Sequence, residues 1–261
     1  MTGAGKVFLI GAGPGDPELL TLRAVRMLAQ ADVVVHDRLV SPEIMATLSP
    51  AARLIPVGKA PGCHTVPQDR INEILADLAL AGHSVARLKG GDPLIFGRGS
   101  EEAAYLSSRG IAVEYAPGIT AAQGAAASTG VPLTHRGLAT GVQYVTGHRQ
   151  KNRALDLDWK RLADPETTLV VYMGLANIGQ IALGLIAEGM APSMPVMAIA
   201  NATTPREVRH FSRLDRVARD LQGWPADGPV LFFIGHVVSL YAADEAIIPD
   251  LSDHLHAAAH A

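Results

Sequence analysis

Short β-branched runs alternate with amphipathic helical stretches along most of the chain, and that alternation admits few architectures. Residues 7–10, 33–35, 54–57, 85–88 and 113–115 read as strands of a first half, with helical spacing of Leu, Ile and Val across 18–30 and 68–81. After Leu133 the series restarts, with strands at 142–146, 168–173, 196–200, 207–211 and 230–234 and helices near 177–188 and 214–221. Strands interleaved with helices predict parallel or mixed sheets flanked by helices, so the expected class is α/β in two units. Their limits are placed at residues 1–135 and 136–245, with 246–261 as a flexible tail. The tail holds His254, His256 and His260, which are given no metal-binding role because exposed termini fray.

At 261 residues the chain has room for two domains of roughly 100–200 residues each. Apolar residues make up 48% and charged ones 18%, a balance that buries a core of Val, Ile, Leu and Ala. With 22 Lys and Arg against 25 Asp and Glu, the net charge of -3 offers no global attraction to nucleic acid or an anionic membrane, and neither is expected as a partner. The single cysteine, Cys63, excludes an internal disulfide and a thiolate metal cluster and fits a reducing, cytoplasmic setting. The opening residues run into a short apolar strand, too brief for a secretory signal, and no other run is long enough to span a bilayer.

Two loops carry the chemistry. Arg87-Leu-Lys-Gly-Gly-Asp-Pro-Leu-Ile-Phe-Gly-Arg-Gly-Ser-Glu-Glu102 places three acids, three bases and four glycines directly after a strand. Gly90 and Gly91 allow a close backbone approach to a small molecule that any Cβ would block. Arg98, Glu101 and Glu102 open a helix running to about Arg109, with the acids suited to its first turn. The other loop, Gly11-Ala-Gly-Pro-Gly-Asp16, follows the first strand and invites a dinucleotide-binding reading. Pro14 removes an N–H from the turn, and Asp16 puts a carboxylate where phosphate would sit, which opposes that reading. Asp16 looks instead like an N-cap with Pro17 at the first helical position.

The segments Val7-Phe-Leu-Ile-Gly-Ala-Gly-Pro-Gly-Asp16, Val34-Val-His-Asp-Arg-Leu-Val40 and the 87–102 loop together resemble the tetrapyrrole methylase family. Val57-Gly-Lys59, Ala116-Pro-Gly-Ile-Thr-Ala121, Gly130-Val-Pro-Leu-Thr-His-Arg136, Val145-Thr-Gly-His148 and Val171-Tyr-Met-Gly174 extend the match in order to about Val238. The resemblance implies two α/β domains, each a mixed sheet flanked by helices, with S-adenosylmethionine in the cleft between them and a homodimeric assembly. It also implies C-methylation of uroporphyrinogen III at C2 and C7, giving precorrin-2 and S-adenosylhomocysteine, an early step towards siroheme, cobalamin or haem d1.

Carried onto matching positions, the resemblance puts Pro14, Gly90, Gly91, Asp92, Ile95, Thr120, Ala121, Met173 and Ala202 around the cofactor. Asp92 is an acceptor suited to a hydroxyl or ammonium group, Ile95 and Met173 offer apolar contact, and Thr120 and Ala121 stand at a helix start with N–H groups to spare. Ala202 stands where the family more often has Gly, and Ala200 where it often has an acid. A substrate ringed with carboxylates needs bases, for which Arg98, Arg136, Arg38 and Lys59 are the candidates. Glu101 is expected to orient Arg98 or accept a pyrrole N–H. The resemblance assigns Asp37 as proton acceptor and Lys59 as proton donor, with a salt bridge between the two as the structural alternative. In-line methyl transfer asks the protein for alignment and water exclusion and requires no metal. Competing readings are a methyltransferase acting on a later precorrin, a noncatalytic tetrapyrrole or S-adenosylmethionine binder, and a nicotinamide oxidoreductase. No appended dehydrogenase or ferrochelatase sequence is evident, so methylation alone is expected.

Overall fold

The computed structural model describes residues 5–58, 66–148 and 155–240. They fall into two compact units, 1–124 and 125–261, each with its own sheet.

In the first unit, β1 (Lys6–Gly11), β2 (Val33–His36), β3 (Arg53–Pro56), β4 (Val85–Lys89) and β5 (Ala112–Ala116) form one sheet in the order β3-β2-β4-β1-β5. Every pairing is parallel, with Val7 opposite both Val85 and Val113. The sheet is therefore parallel throughout rather than mixed, because helical crossovers connect its strands. Alternate residues point to opposite faces. Phe8, Ile10, Val34, Ala86 and Leu88 pack with Ala24, Met27 and Leu28 of α1 (Leu22–Leu28) and Ile44 of α2 (Pro42–Met45). Val7, Leu9, Val33, Val35 and Val85 pack with Ile71, Leu75 and Ala79 of α3 (Gln68–Leu80) and Ala103 and Leu106 of α4 (Gly99–Ser107). The helices that follow β1 and β4 thus lie on opposite faces. The chain turns to opposite faces after these neighbouring strands, the arrangement at which open α/β sheets bind ligands beyond their carboxyl edge.

The helix expected over 18–30 is split. Asp16 caps a 3-10 turn, Pro17–Leu19, by accepting from Glu18 N–H at 2.8 Å, and Thr21 caps α1 by accepting from Ala24 N–H at 3.1 Å. Two N-caps five residues apart start two helices, with Leu20 and Thr21 extended between them.

In the second unit, β6 (Gly141–Thr146), β7 (Thr167–Tyr172), β8 (Pro195–Ala200), β9 (Val208–Arg213) and β10 (Val230–Ile234) form a mixed sheet in the order β6-β7-β10-β8-β9. Only β6 and β7 run parallel. Leu169, Val171, Val196, Ala198 and Phe232 pack with Ile178, Ile181 and Leu185 of α7 (Ile178–Ala187) and Val217 of α8 (Val217–Asp220). Gly184 leaves room for the indole of Trp159 from α6 (Trp159–Leu162), since a Cβ would meet it at 2.7 Å. The chain passes from one unit to the other within α5 (Ala121–Thr129), between Gly124 and Ala125. No helix among the described residues is long and apolar enough to cross a membrane.

Candidate active site

Three loops meet at the carboxyl edge of the first sheet. Gly91 donates its N–H to Gly13 O at 2.7 Å and accepts from Gly13 N–H at 3.2 Å, while Ala12 N–H reaches Lys89 O at 2.7 Å. The β1 and β4 loops are thereby joined just ahead of Pro14. Asp92 ties in the β5 loop, accepting from Gly118 N–H at 3.0 Å and from Leu94 N–H at 2.8 Å. Both Asp92 oxygens thus serve the loops themselves, so its first task is architectural, leaving one lone pair per oxygen for a ligand. Gly91 has φ +67°, and the nearest atom to a Cβ built there is Ala121 N at 3.9 Å. That open space beside the first N–H groups of α5 suits the close approach expected of a cofactor. Gly90 instead lies against Leu39, whose Cβ would be only 2.8 Å from a Cβ added at residue 90. Thr120 is buried just ahead of α5 and accepts from Gly124 N–H at 3.1 Å.

Left-handed backbone at residues other than glycine marks the same places. Among the described residues it occurs at Phe96, Arg98, Met173, Asn201 and Thr203. Phe96 adjoins Ile95, and Asn201 and Thr203 bracket Ala202. Such conformations persist where the surroundings over-determine them, commonly at ligand sites. Met173 is half exposed just beyond β7, so it is not an ordinary core methionine. In the same unit, Gly147 sits where a Cβ would lie 2.6 Å from Gly174 Cα, and Asn177 Nδ2 donates to Gly147 O at 2.7 Å. The 145–148 and 172–174 segments therefore form one packed corner. Ala202 lies in a turn held by Asn201 Nδ2 donating to Asp227 Oδ1 at 2.9 Å and by Thr203 N–H donating to Glu207 Oε2 at 2.7 Å.

Arg98 and Glu101 form a two-pronged pair at the start of α4, with Nε to Oε1 at 2.9 Å and Nη2 to Oε2 at 2.6 Å. The hydrogen bonds raise the Arg98 guanidinium and hold the Glu101 carboxyl below its ordinary range. Both side chains are about half exposed, so the pair presents an oriented guanidinium to solvent. Arg38 and Arg136 are exposed on their loops. Lys59 lies outside the described residues, as do Cys63, Arg149, Lys151 and the three tail histidines. The proposed Asp37–Lys59 pairing therefore has no described geometry.

Asp37 is instead set beside Arg87. Its Oδ1 accepts from Leu39 N–H at 3.0 Å, and its Oδ2 stands 3.6 Å from Arg87 Nη2. Arg87 belongs to a buried charge cluster; the sequence reading counts it among the bases of the 87–102 stretch but assigns it no partner. Glu102 Oε1 accepts from Arg87 Nε at 3.1 Å, Lys89 Nζ at 3.0 Å and Gln68 Nε2 at 3.1 Å, while Glu102 Oε2 is buried with no hydrogen-bond partner among the described residues. Burial and the neighbouring Arg87 push the Lys89 ammonium below its ordinary range, against the opposing pull of Glu102. The available signal is two cations spaced two apart in a buried strand, which put both on one face and call for an anion there.

Comparison with known proteins places the chain in a family. The family model for Tetrapyrrole (Corrin/Porphyrin) Methylases matches residues 6–218. The chain is 58% identical over 247 residues to a uroporphyrinogen-III C-methyltransferase of Paracoccus denitrificans, covering 95% of this chain and 85% of that one. It is 47% identical to a siroheme synthase of Chromobacterium violaceum across 91% of its own length but only 50% of the synthase. A crystal structure of a uroporphyrin-III C-methyl transferase from Thermus thermophilus complexed with S-adenyl homocysteine superposes with a TM-score of 0.78 at 41% identity, covering 91% of this chain and all of that one.

Proposed function

The chain belongs to the tetrapyrrole methylase family, and from that premise we propose that it C-methylates uroporphyrinogen III at C2 and C7, giving precorrin-2. The observation that carries the reading is the three-loop junction of the first unit. It joins the turns that carry Gly13, Gly91, Asp92 and Gly118, with open space at Gly91 beside Ala121 N–H, and supports Pro14, Gly90, Ile95, Thr120 and Ala121 as further cofactor contacts, in a chain alike over nearly its whole length to a protein named for this reaction. S-adenosylmethionine, when bound, supplies a sulfonium methyl for in-line transfer to carbon. The first unit's residues fit such a group, since Gly91 lacks a Cβ where space is open beside Ala121 N; Met173, half exposed on the second unit, is proposed as a polarizable apolar contact.

The protein's own part is binding, alignment and proton transfer. Arg98, held flat by Glu101, offers its outer edge to a substrate carboxylate, and Arg38 and Arg136 add further guanidinium groups. Attack by a pyrrole carbon would form the new C–C bond as the methyl's bond to sulfur breaks, releasing neutral S-adenosylhomocysteine and leaving the ring cationic. Asp37 stabilises that cation and accepts the proton whose loss restores neutrality. Lys59 is proposed as the proton donor. We further propose that the protein works as a cytoplasmic homodimer without a metal.

The test is anaerobic incubation with uroporphyrinogen III and methyl-labelled S-adenosylmethionine, followed by mass. Two labelled methyl groups in the tetrapyrrole are expected. No label in a folded, cofactor-bound protein would overturn the proposal and leave a later precorrin or a noncatalytic binding role.

A further inference from the structure

We infer that Glu102 is a positioning residue that holds the Arg87 guanidinium back from Asp37, so that the Asp37 carboxylate is not locked in a closed ion pair; the inference rests on Asp37 being the base of the proposed reaction. A guanidinium is planar, with its N–H groups in a fixed fork, so anchoring one edge sets where the other edge points. In Arg87 the anchors are Nε to Glu102 Oε1 at 3.1 Å and Nη1 to the carbonyls of Val35 and Leu88 at 3.4 and 3.3 Å. The remaining nitrogen, Nη2, is left 3.6 Å from Asp37 Oδ2, longer than a formed hydrogen bond of about 2.7–3.2 Å.

That gap matters because the side chains differ in access. Arg87 is 3% exposed and Glu102 0%, whereas Asp37 is 25% exposed. Oδ1 of Asp37 is already occupied by Leu39 N–H, which leaves Oδ2 to meet a ligand. If Arg87 closed onto Oδ2, the carboxylate would become both less basic and less reachable. Glu102 resists that closure from a fixed seat. It projects from α4, and Gln68 of α3 holds the same oxygen while also donating to Asn72 Oδ1 at 3.1 Å. Lys89 completes the set at 3.0 Å, so two cations are balanced by Glu102 inside the fold and Asp37 at its edge.

The test is the double variant Glu102→Gln with Lys89→Met, which removes one charge of each sign and replaces the carboxylate at 102 by an amide of similar shape and weaker acceptor strength. Crystal structures of wild type and variant are compared, alongside methyl-transfer kinetics. Expected are contraction of the Arg87–Asp37 separation to about 3.2 Å or less and a fall in kcat of about tenfold or more. KM for S-adenosylmethionine should stay within roughly twofold, because the cofactor loops are untouched. An unchanged or longer separation overturns the inference, as does contraction with kcat intact. Should the double variant not fold, Glu102→Gln alone is read in the same way. If the wild-type protein transfers no methyl to uroporphyrinogen III, the functional reading fails, and the distance by itself decides whether Glu102 tethers Arg87.

Discussion

At Gly118 the effect of one added methyl group follows from the loop packing. A Cβ there would lie 2.2 Å from Gly91 O and 2.8 Å from Gly11 Cα, with backbone on both sides and no rotamer to relieve it. Gly118→Ala is expected to cost about 1–3 kcal/mol as a shift in the urea midpoint. Calorimetry should also show weaker S-adenosylmethionine binding, because the Gly90–Asp92 turn absorbs the displacement. Arg98→Ala should behave oppositely. An exposed pair contributes only about 0–1 kcal/mol to stability, so the midpoint hardly moves, while KM for uroporphyrinogen III rises roughly tenfold on loss of a charged hydrogen bond. The glycines are legible in the sequence because a glycine after a strand announces close approach. The buried charges are only half legible. Arg87 and Lys89 share a face, but nothing in the sequence says that Glu102 rather than Glu101 answers them. Neighbouring residues on a helix point about 100° apart, and the docking of α4 turns 102 inward and 101 outward.

Element by element, the strands lie where hydrophobic alternation places them, and the departures sit where short-range hydrogen bonds compete with periodicity. Asp16 and Thr21 each start a helix, which divides one expected element into two. The turn before β9 is likewise beyond pattern reading, since its left-handed Asn201 and Thr203 are held by side chains from elsewhere in the unit. Glu207 is its main fastener. Burial would raise this carboxyl, but Thr203 N–H, Ser128 and Arg209 outweigh burial and hold it below its ordinary value. A carboxyl depressed in the folded chain contributes stability above its unfolded value, near pH 4.3, and loses it as pH falls through the lower folded value. Glu207→Gln should therefore be less stable than wild type at pH 6, and the difference should shrink as pH falls below the unfolded value, in urea titrations across that range. A constant difference at every pH would show that the charge of Glu207 is irrelevant to the turn.

The whole chain is built around separate cores. The buried clusters of the first unit draw on residues 7–116, and that of the second on residues 155–234, with no member in common. A unit of this size buries roughly two thirds of the surface its unfolded chain exposes, enough for independent folding. Where to cut is decided by α5. The compact units divide between Gly124 and Ala125, which would sever that helix after its first turn, whereas a cut at 135, the limit suggested by sequence, leaves Ala121–Thr129 whole. We propose residues 1–135 as the excisable N-terminal domain. The fragment should show an α/β circular dichroism spectrum and one cooperative urea transition. A fragment ending at 124 should unfold at lower urea, because its last helical turn lacks the residues that close it. Gradual, noncooperative unfolding of 1–135 would mean that its parallel sheet needs the second half of the chain in order to fold.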